Sequence, residues 1–326
     1  VPTNDDRMEV YVGSQIPYQD REQVARALGW DEKRVRIVGQ KMGGGFGGKE
    51  DIAGQIHAAL LANATQRPVK LLFDRHESLL VHPKRHATQI LVKIGAKKDG
   101  RIVAIETELY GDSGAYASLG EKVMTRATTH SAGPYDVEHV RADCYAMYTN
   151  NPPSGAFRGF GVTQSAFAIE TIIDMLAKEL KMDPVELRRM NALHVGSITN
   201  TGQQLVESVG LTECIDQVKQ EMLKHNPDPF KPVLDPENPN LVRSWGFAVA
   251  YKNTGLGGGA PDNSTAEIEM FEDGTFEIRC SSAEMGQGLV SVMQMIVSEE
   301  MEVPAEDVRV LVMDTDLTPN GGPTTA

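Results

Sequence analysis

Residues 8–38 read MEVYVGSQIPYQDREQVARALGWDEKRVRIV. MEVYVGSQ (8–15) alternates apolar and polar side chains like a strand and is closed by Gly13. QDREQVARAL (19–28) carries apolar residues at helical spacing, and Gly29 supplies the stop that a helix C-terminus favours. RVRIV (34–38) is a second strand-like run. The stretch therefore predicts strand, helix, strand.

The same order returns near the other end, in FEIRCSSAEMGQG…MIVSEEMEVPAEDVRVLV (276–312). Again a strand leads through a polar turn containing Gln into a helix, a short acidic link and a V-R-hydrophobic strand. Aligning Glu9 with Glu277 offsets the copies by 268, and aligning Val35-Arg36 with Val308-Arg309 offsets them by 273. The second copy thus carries about five extra residues around its AEMGQG turn. The repetition predicts an α/β fold of mixed α+β character, with two related lobes of mixed sheets flanked by helices. If the lobes pack face to face, the turns at Gln15 and Gln287 meet the same ligand.

Between the copies, residues 50–66 are helix-like and expected to begin at Lys49 or Glu50, and PVKLLFD (68–74) reads as a buried strand. Residues 87–95 and 101–111 are two strands joined by a tight turn at Asp99-Gly100. Helices are expected at roughly 163–181, after the N-cap Asp183 with Pro184 behind it, and over TECIDQVKQEMLKH. NPDPFKPVLDPENPN (226–240) holds five prolines and reads as a linker. The division is then a first lobe over 1–225, the linker, and the start of a second lobe over 241–326. A hairpin through Glu272–Gly274 and a helix near 289–302 complete the second lobe.

Composition narrows the function classes. Apolar residues make up 40% of the 326, enough for sizeable cores. A net charge of −13 disfavours a nucleic-acid partner. The apolar runs fall short of a membrane span. Cys144, Cys214 and Cys280 lie far apart with no C-x-x-C, so neither a zinc ribbon nor a protein-held iron–sulfur cluster is encoded; scattered thiols suit a cytoplasmic protein. His82 and His86 stand four apart, but Pro83 between them spoils a helical metal pair.

MGGGFGGKE (42–50) is the strongest local signal. Its glycines let the backbone approach a ligand closely, and a helix start behind them would suit an oxyanion. Gly43, Gly45 and Gly48 also satisfy G-x-G-x-x-G, so a dinucleotide (NAD or FAD) domain is a rival reading. Against it, GQKM separates Val38 from the first glycine, and Asp74 follows the last by 26 residues. A purely structural turn and a non-catalytic subunit-docking scaffold are the bland alternatives. AFRGFG (156–161) sets Phe157 and Phe160 around Arg158, a pattern for a flat or anionic ligand. EMGQG (284–288) flanks Gln287, whose amide both donates and accepts, with two glycines.

Taken in order, GGGFGGKE, AFRGFG, EMGQG and the closing PNGGPTTA (319–326) resemble the molybdenum hydroxylases, the family of xanthine dehydrogenase and aldehyde oxidase, over nearly the whole chain. In that family the metal is held by the dithiolene of molybdopterin rather than by side chains, which implies no protein metal ligand here. An electron-poor carbon is hydroxylated, and the electrons leave through 2Fe-2S clusters to FAD. The resemblance implies a cytosine dinucleotide form of the cofactor and, as partners, an iron–sulfur subunit, an FAD subunit and the remainder of the molybdenum subunit. Carried over by motif, Gln15, Gly45, Phe46, Gly47, Arg158 and Gln287 are cofactor contacts. Phe160 is an aromatic wall of the substrate pocket, and Glu50 and Arg126 address a purine or related N-heterocycle. Taken singly, Glu50 is also readable as a helix-start carboxylate and Arg126 as a surface charge. The family's general-base glutamate is expected beyond Ala326, so no catalytic residue is assigned in this chain and the fragment alone is expected to be inactive.

Overall fold

The computed structural model describes residues 1–255 and 263–325; Ala326, the last residue of the closing motif, lies outside them. The chain opens with β1 (Met8–Val12), α1 (Pro17–Leu28) and β2 (Val35–Gly39), followed by α2 (Gln55–Thr65) and α3 (Arg75–Val81). β1 and β2 pair in parallel, Met8 opposite Val35. Their inward residues Met8, Val35 and Ile37 meet Val24 and Ala25 of α1 and Ala59 and Ala62 of α2, all buried. Burying each larger side chain contributes about 1.5–3 kcal/mol.

The middle of the chain supplies a second layer. β3 (Thr88–Ala96) and β4 (Ile102–Gly114) form an antiparallel hairpin, with Gly100 at φ +94° in its turn. α4 (Gly120–Thr129) crosses to β5 (His139–Tyr148), which pairs with β4 in parallel. α5 (Val162–Leu180) lays Ile169, Ile173 and Ala177 against Ile102 and Ile105 of this sheet. α6 (Pro184–Asn191) starts as expected, Asp183 accepting from the amides of Val185 at 2.8 Å and Glu186 at 3.0 Å. α7 (Leu211–His225) closes this layer.

Beneath α5, Arg188 is fully buried and donates to the Glu170 carboxylate at 2.7 Å and to its carbonyl at 3.1 Å. Tyr135 donates to the other Glu170 oxygen at 2.5 Å, and the Val249 amide to the first at 3.0 Å. The network therefore anchors residues well past the expected linker. A two-residue pair, β6 (Val233–Leu234) with β7 (Val242–Arg243), lies exposed in that region. Phe230, Phe247 and Val249 return to the core around Val185 and Ile215. Residues 247–253, placed by the sequence in the second lobe, pack on the first.

The second copy follows as β8 (Ala266–Met270), β9 (Phe276–Cys280), α8 (Leu289–Met301) and β10 (Val308–Val312). β9 and β10 are parallel with Phe276 opposite Val308, the register that the two offsets require. Val24 of α1 and Val297 of α8 are the matching buried helix residues, and a short 3-10 turn precedes β2 and β10 alike. Past β10 the chain crosses to the first copy. The Gly39 amide donates to the Met313 carbonyl at 2.7 Å and the Thr315 amide to the Ile37 carbonyl at 3.1 Å. Arg36 forks onto both oxygens of Asp314, at 3.0 and 2.6 Å.

Three expectations change. Residues 68–74 form no strand: they have no ladder partner among the described residues, and Leu72 is 82% exposed. The helix after the glycine loop starts at Gln55, not Lys49 or Glu50; the Gln55 side chain accepts the Ala53 and Gly54 amides at 2.9 Å just ahead of it. The dinucleotide layout loses both its third strand and its helix N-terminus at the glycines.

Candidate functional site

The three glycine turns come together with the tail of the chain. Gly44 donates to the Met285 carbonyl at 3.0 Å, joining the first turn to the third. A Cβ on Gly45 would sit 2.2 Å from the Met285 sulfur and 2.7 Å from Gln15 Oε1. Gly47 holds φ +81° and lies against the Ala156–Phe157 backbone, where an added Cβ would meet Ala156 at 3.0 Å. No side chain fits that contact, which joins the first turn to the second. Gly161 rests directly on the Val123 carbonyl of α4, carrying the second turn onto the helix that bears Arg126.

Two phenylalanines in these turns adopt left-handed backbone, Phe46 at φ +55° and Phe160 at φ +48°. Such strain costs about 1–3 kcal/mol per residue and clusters at sites where geometry matters more than stability. Phe46 is 59% exposed, with the Arg158 guanidinium 5.6 Å from its ring centroid. Phe160 is half-buried. The amides of Gly45, Phe46 and Gly47 donate to no acceptor among the described residues. Three successive free N–H groups beside a guanidinium make a cradle for an oxygen-bearing or anionic group.

Gln15 is buried and acts as a brace. Its Nε2 donates to the Thr324 carbonyl at 2.7 Å and to Glu50 Oε1 at 3.2 Å, and its backbone carbonyl accepts from the Thr324 amide at 2.8 Å. Gln287 is exposed and braces its own turn, accepting from the Met285 amide at 2.7 Å and donating to the Ala283 carbonyl at 2.8 Å. The five-residue insertion also brings Glu284, whose carboxylate accepts the amides of Gly286 at 2.7 Å and Val290 at 3.0 Å. Glu284 therefore fills the N-terminus of α8, and these hydrogen bonds hold its carboxyl below the usual range.

Glu50 sits in irregular chain ahead of α2, so the helix-dipole explanation for it does not apply. Burial, and then the neighbouring Asp51, push its carboxyl up to about 7. Arg126 is buried too, and donates to Asn253 Oδ1 at 2.6 Å and the Gly255 carbonyl at 3.4 Å, so it is not a free surface charge. His130 locks that arrangement. Its Nε2 accepts from the Asn253 amide at 3.2 Å, which assigns the proton to Nδ1, donating to the Arg126 carbonyl at 2.9 Å. Burial lowers the pKa of His130 and favours this neutral form.

His130 escaped the sequence reading, and so did two other groups. Arg85 donates to the Arg158 carbonyl at 2.6 Å and stacks on Phe157 at 4.8 Å, clamping the second turn. Ser118 donates to Asp51 at 2.6 Å from a loop in which Tyr116, Ala117 and Ser118 all have positive φ. No local motif marks any of the three. Among the described residues no group of three His, Cys, Asp or Glu side chains could hold a metal ion, and no helix is long and apolar enough to cross a membrane.

Comparison with known proteins gives a consistent picture. A family profile described as molybdopterin cofactor-binding domain matches residues 1–192, and a second of the same description matches 231–326. The chain is 47% identical over 221 residues to the nicotinate dehydrogenase large molybdopterin subunit of Eubacterium barkeri, covering 68% of this chain and 52% of that one. It is 32% identical over 326 residues to the xanthine dehydrogenase molybdenum-binding subunit of Escherichia coli, covering 97% and 42%. Aldehyde oxidoreductase from Desulfovibrio gigas superposes with a TM-score of 0.83 at 27% identity, covering 99% of this chain and 35% of that one. The chain thus spans about half or less of the length of these relatives.

Proposed function

The chain belongs to the molybdopterin cofactor-binding domains of the xanthine dehydrogenase and aldehyde oxidase-type molybdenum hydroxylases, and from that premise we propose that it is the cofactor-binding part of an enzyme that oxidatively hydroxylates a purine or related N-heterocycle. The observation that carries the reading is the cradle itself: free amides at Gly45, Phe46 and Gly47, with Arg158 over the Phe46 ring. Molybdopterin with its metal would supply the two-electron oxidation. Cytosine dinucleotide is the proposed nucleotide form, and 2Fe-2S and FAD partners with the rest of the molybdenum subunit the proposed electron path. The amides and Arg158 would hold oxygen-bearing groups; Gln15 and Gln287 would join by redirecting side-chain N–H groups that here donate to Thr324 and Glu50 and to Ala283. Phe160 forms an aromatic wall.

Glu50 and Arg126 support the heterocycle. Attack on a ring carbon builds negative charge on the ring, and a desolvated guanidinium stabilises it by about 3–4 kcal/mol. A carboxyl whose pKa lies near 7 either accepts from or donates to a ring nitrogen. A simple aldehyde needs neither group. In the complete enzyme, Arg126→Met should cut kcat/KM for the heterocycle roughly a hundredfold, about 2.7 kcal/mol, and affect aldehydes far less. Metal analysis and cofactor extraction should find molybdenum and a pterin nucleotide. NAD or FAD bound to this subunit instead, or equal loss on both substrate classes, would sink the reading.

A further inference from the structure

Arg126 sits on a helix whose end is tied to a distant stretch of chain. His130 caps the C-terminus of α4, four residues past Arg126, and both are buried, 5% and 8% exposed. Residues 251–253 run beside this helix end in no regular element. Tyr251 lies against the His130 ring, 4.8 Å between centroids, and its hydroxyl donates to the Thr129 carbonyl at 3.4 Å. Asn253, 127 positions from Arg126, closes the circuit. Its amide donates to His130 Nε2 at 3.2 Å, and its Oδ1 accepts from Arg126 Nη1 at 2.6 Å.

The two ring nitrogens of His130 have different loads. Nδ1–H donates to the Arg126 carbonyl at 2.9 Å, a bond within the last turn of its own helix. That carbonyl also accepts the Thr129 hydroxyl at 3.1 Å, so the helix end keeps a partner without His130. Nε2 accepts from Asn253, whose backbone amide has no other acceptor among the described residues. Nε2 thus fixes the backbone from which the Asn253 side chain reaches the guanidinium. Bracing of this kind matters for a long side chain, because a shift of about 1 Å at a reacting centre can cost about a hundredfold in rate.

We propose that His130 and Asn253 are positioning residues that set the preference for an N-heterocycle over an aldehyde, and that the determinant is the hydrogen bond accepted by His130 Nε2. The inference rests on the substrate reading above and deepens it. Arg126 addresses the ring, and His130 acts on Arg126 through Asn253.

Two substitutions separate the ring nitrogens, since an asparagine amide overlays Nδ1 and a glutamine amide overlays Nε2. His130→Asn keeps the bond to the Arg126 carbonyl and loses the one to Asn253; His130→Gln keeps the one to Asn253. In the complete enzyme complex, kcat and KM are measured for the better of hypoxanthine and quinoline, and for benzaldehyde. His130→Asn should lower the heterocycle-to-benzaldehyde ratio of kcat/KM by about tenfold or more, chiefly in kcat. His130→Gln should recover the ratio to within about threefold of the unaltered enzyme. Added to Arg126→Met, His130→Asn should change the ratio less than about twofold, since a residue acting through Arg126 then has nothing left to position. Molybdenum and pterin content should not differ between the Asn and Gln variants. Equal ratios in those two variants overturn the proposal, as does a multiplied loss in the double variant. A loss of cofactor confined to His130→Asn would make residue 130 a cofactor support and overturn it too. If Arg126→Met itself left the ratio unchanged, or if benzaldehyde alone were oxidised, the substrate reading would fall and this inference with it. If Arg126→Met lowered the ratio and His130→Asn did not, only this inference would fall.

Discussion

The two β-α-β copies share a register, a buried helix valine and a cross-strand ion pair, yet they carry different loads. In both, an arginine of the second strand faces a glutamate of the first: Arg36 with Glu9 at 3.1 Å, and Arg309 with Glu277 at 3.2 Å. Arg36 is also covered by Asp314 of the crossing tail, whereas Arg309 is 74% exposed on an open sheet edge. The turn after β1 buries Gln15 against the glycine loop, while the turn after β9 holds Gln287 in solvent and seals its own helix with Glu284. A repeated backbone has thus been given two jobs by five inserted residues and one crossing strand.

The largest expected difference lies in the arginines. Arg36→Ala leaves the buried Asp314 carboxylate without its fork, and breaking such a pair costs about 3 kcal/mol. Arg309→Ala removes an exposed contact worth about 0.5 kcal/mol or less. Denaturant midpoints of the two variants would measure the contrast, and equal shifts would break it.

A second contrast is pH-dependent. Asp20 of α1 is fully buried, bonded to Gln55 at 3.3 Å, and its carboxyl is pushed up to about 6, chiefly by burial. The corresponding position in α8 is Met293, which packs on that copy's core. A carboxyl raised on folding stabilises the fold fully below its unfolded value near 4, and that contribution is lost as pH rises through 6. Asp20→Asn should therefore leave stability at pH 4 little changed and raise it at pH 7 by about 2 kcal/mol. Thermal melts across pH 4–7 would show this as a flattened profile; an unchanged slope would remove Asp20 as its cause.

The smallest effect concerns the helix ends. Gly29 and Glu302 occupy matching positions, both left-handed, at φ +70° and +55°. Gly29→Ala should cost about 1 kcal/mol, and Glu302→Gly should stabilise by about 0.5 kcal/mol. Two melts suffice, and effects of the same sign would mean that the copies end their helices for different reasons.

Local and repeated features were legible in the sequence. The alternation of 8–12 and 276–280, the Asp183 cap and the Gly100 turn each act within a few residues, and the duplication checked its own alignment. The glycine turns announced themselves because glycine is what close backbone approach requires. What stayed hidden depends on distant partners. PVKLLFD reads as a strand but has no neighbour to pair with among the described residues. β5 is mostly exposed and alternates weakly. At the start of α2 the Gln55 side chain folds back onto the amides of Ala53 and Gly54, a contact that no periodicity announces. Arg85 and His130 matter only through contacts that no spacing rule reveals.

The crossing tail also sets a schedule for synthesis. The edge of β2 is closed by residues 313–315, and the Arg36–Asp314 contact spans 278 positions. At about 5–20 residues per second, roughly 15–55 seconds pass between the emergence of one partner and the other. Throughout that interval the nascent first copy offers an unpaired strand edge beside its glycine loop, an invitation to pair with another chain.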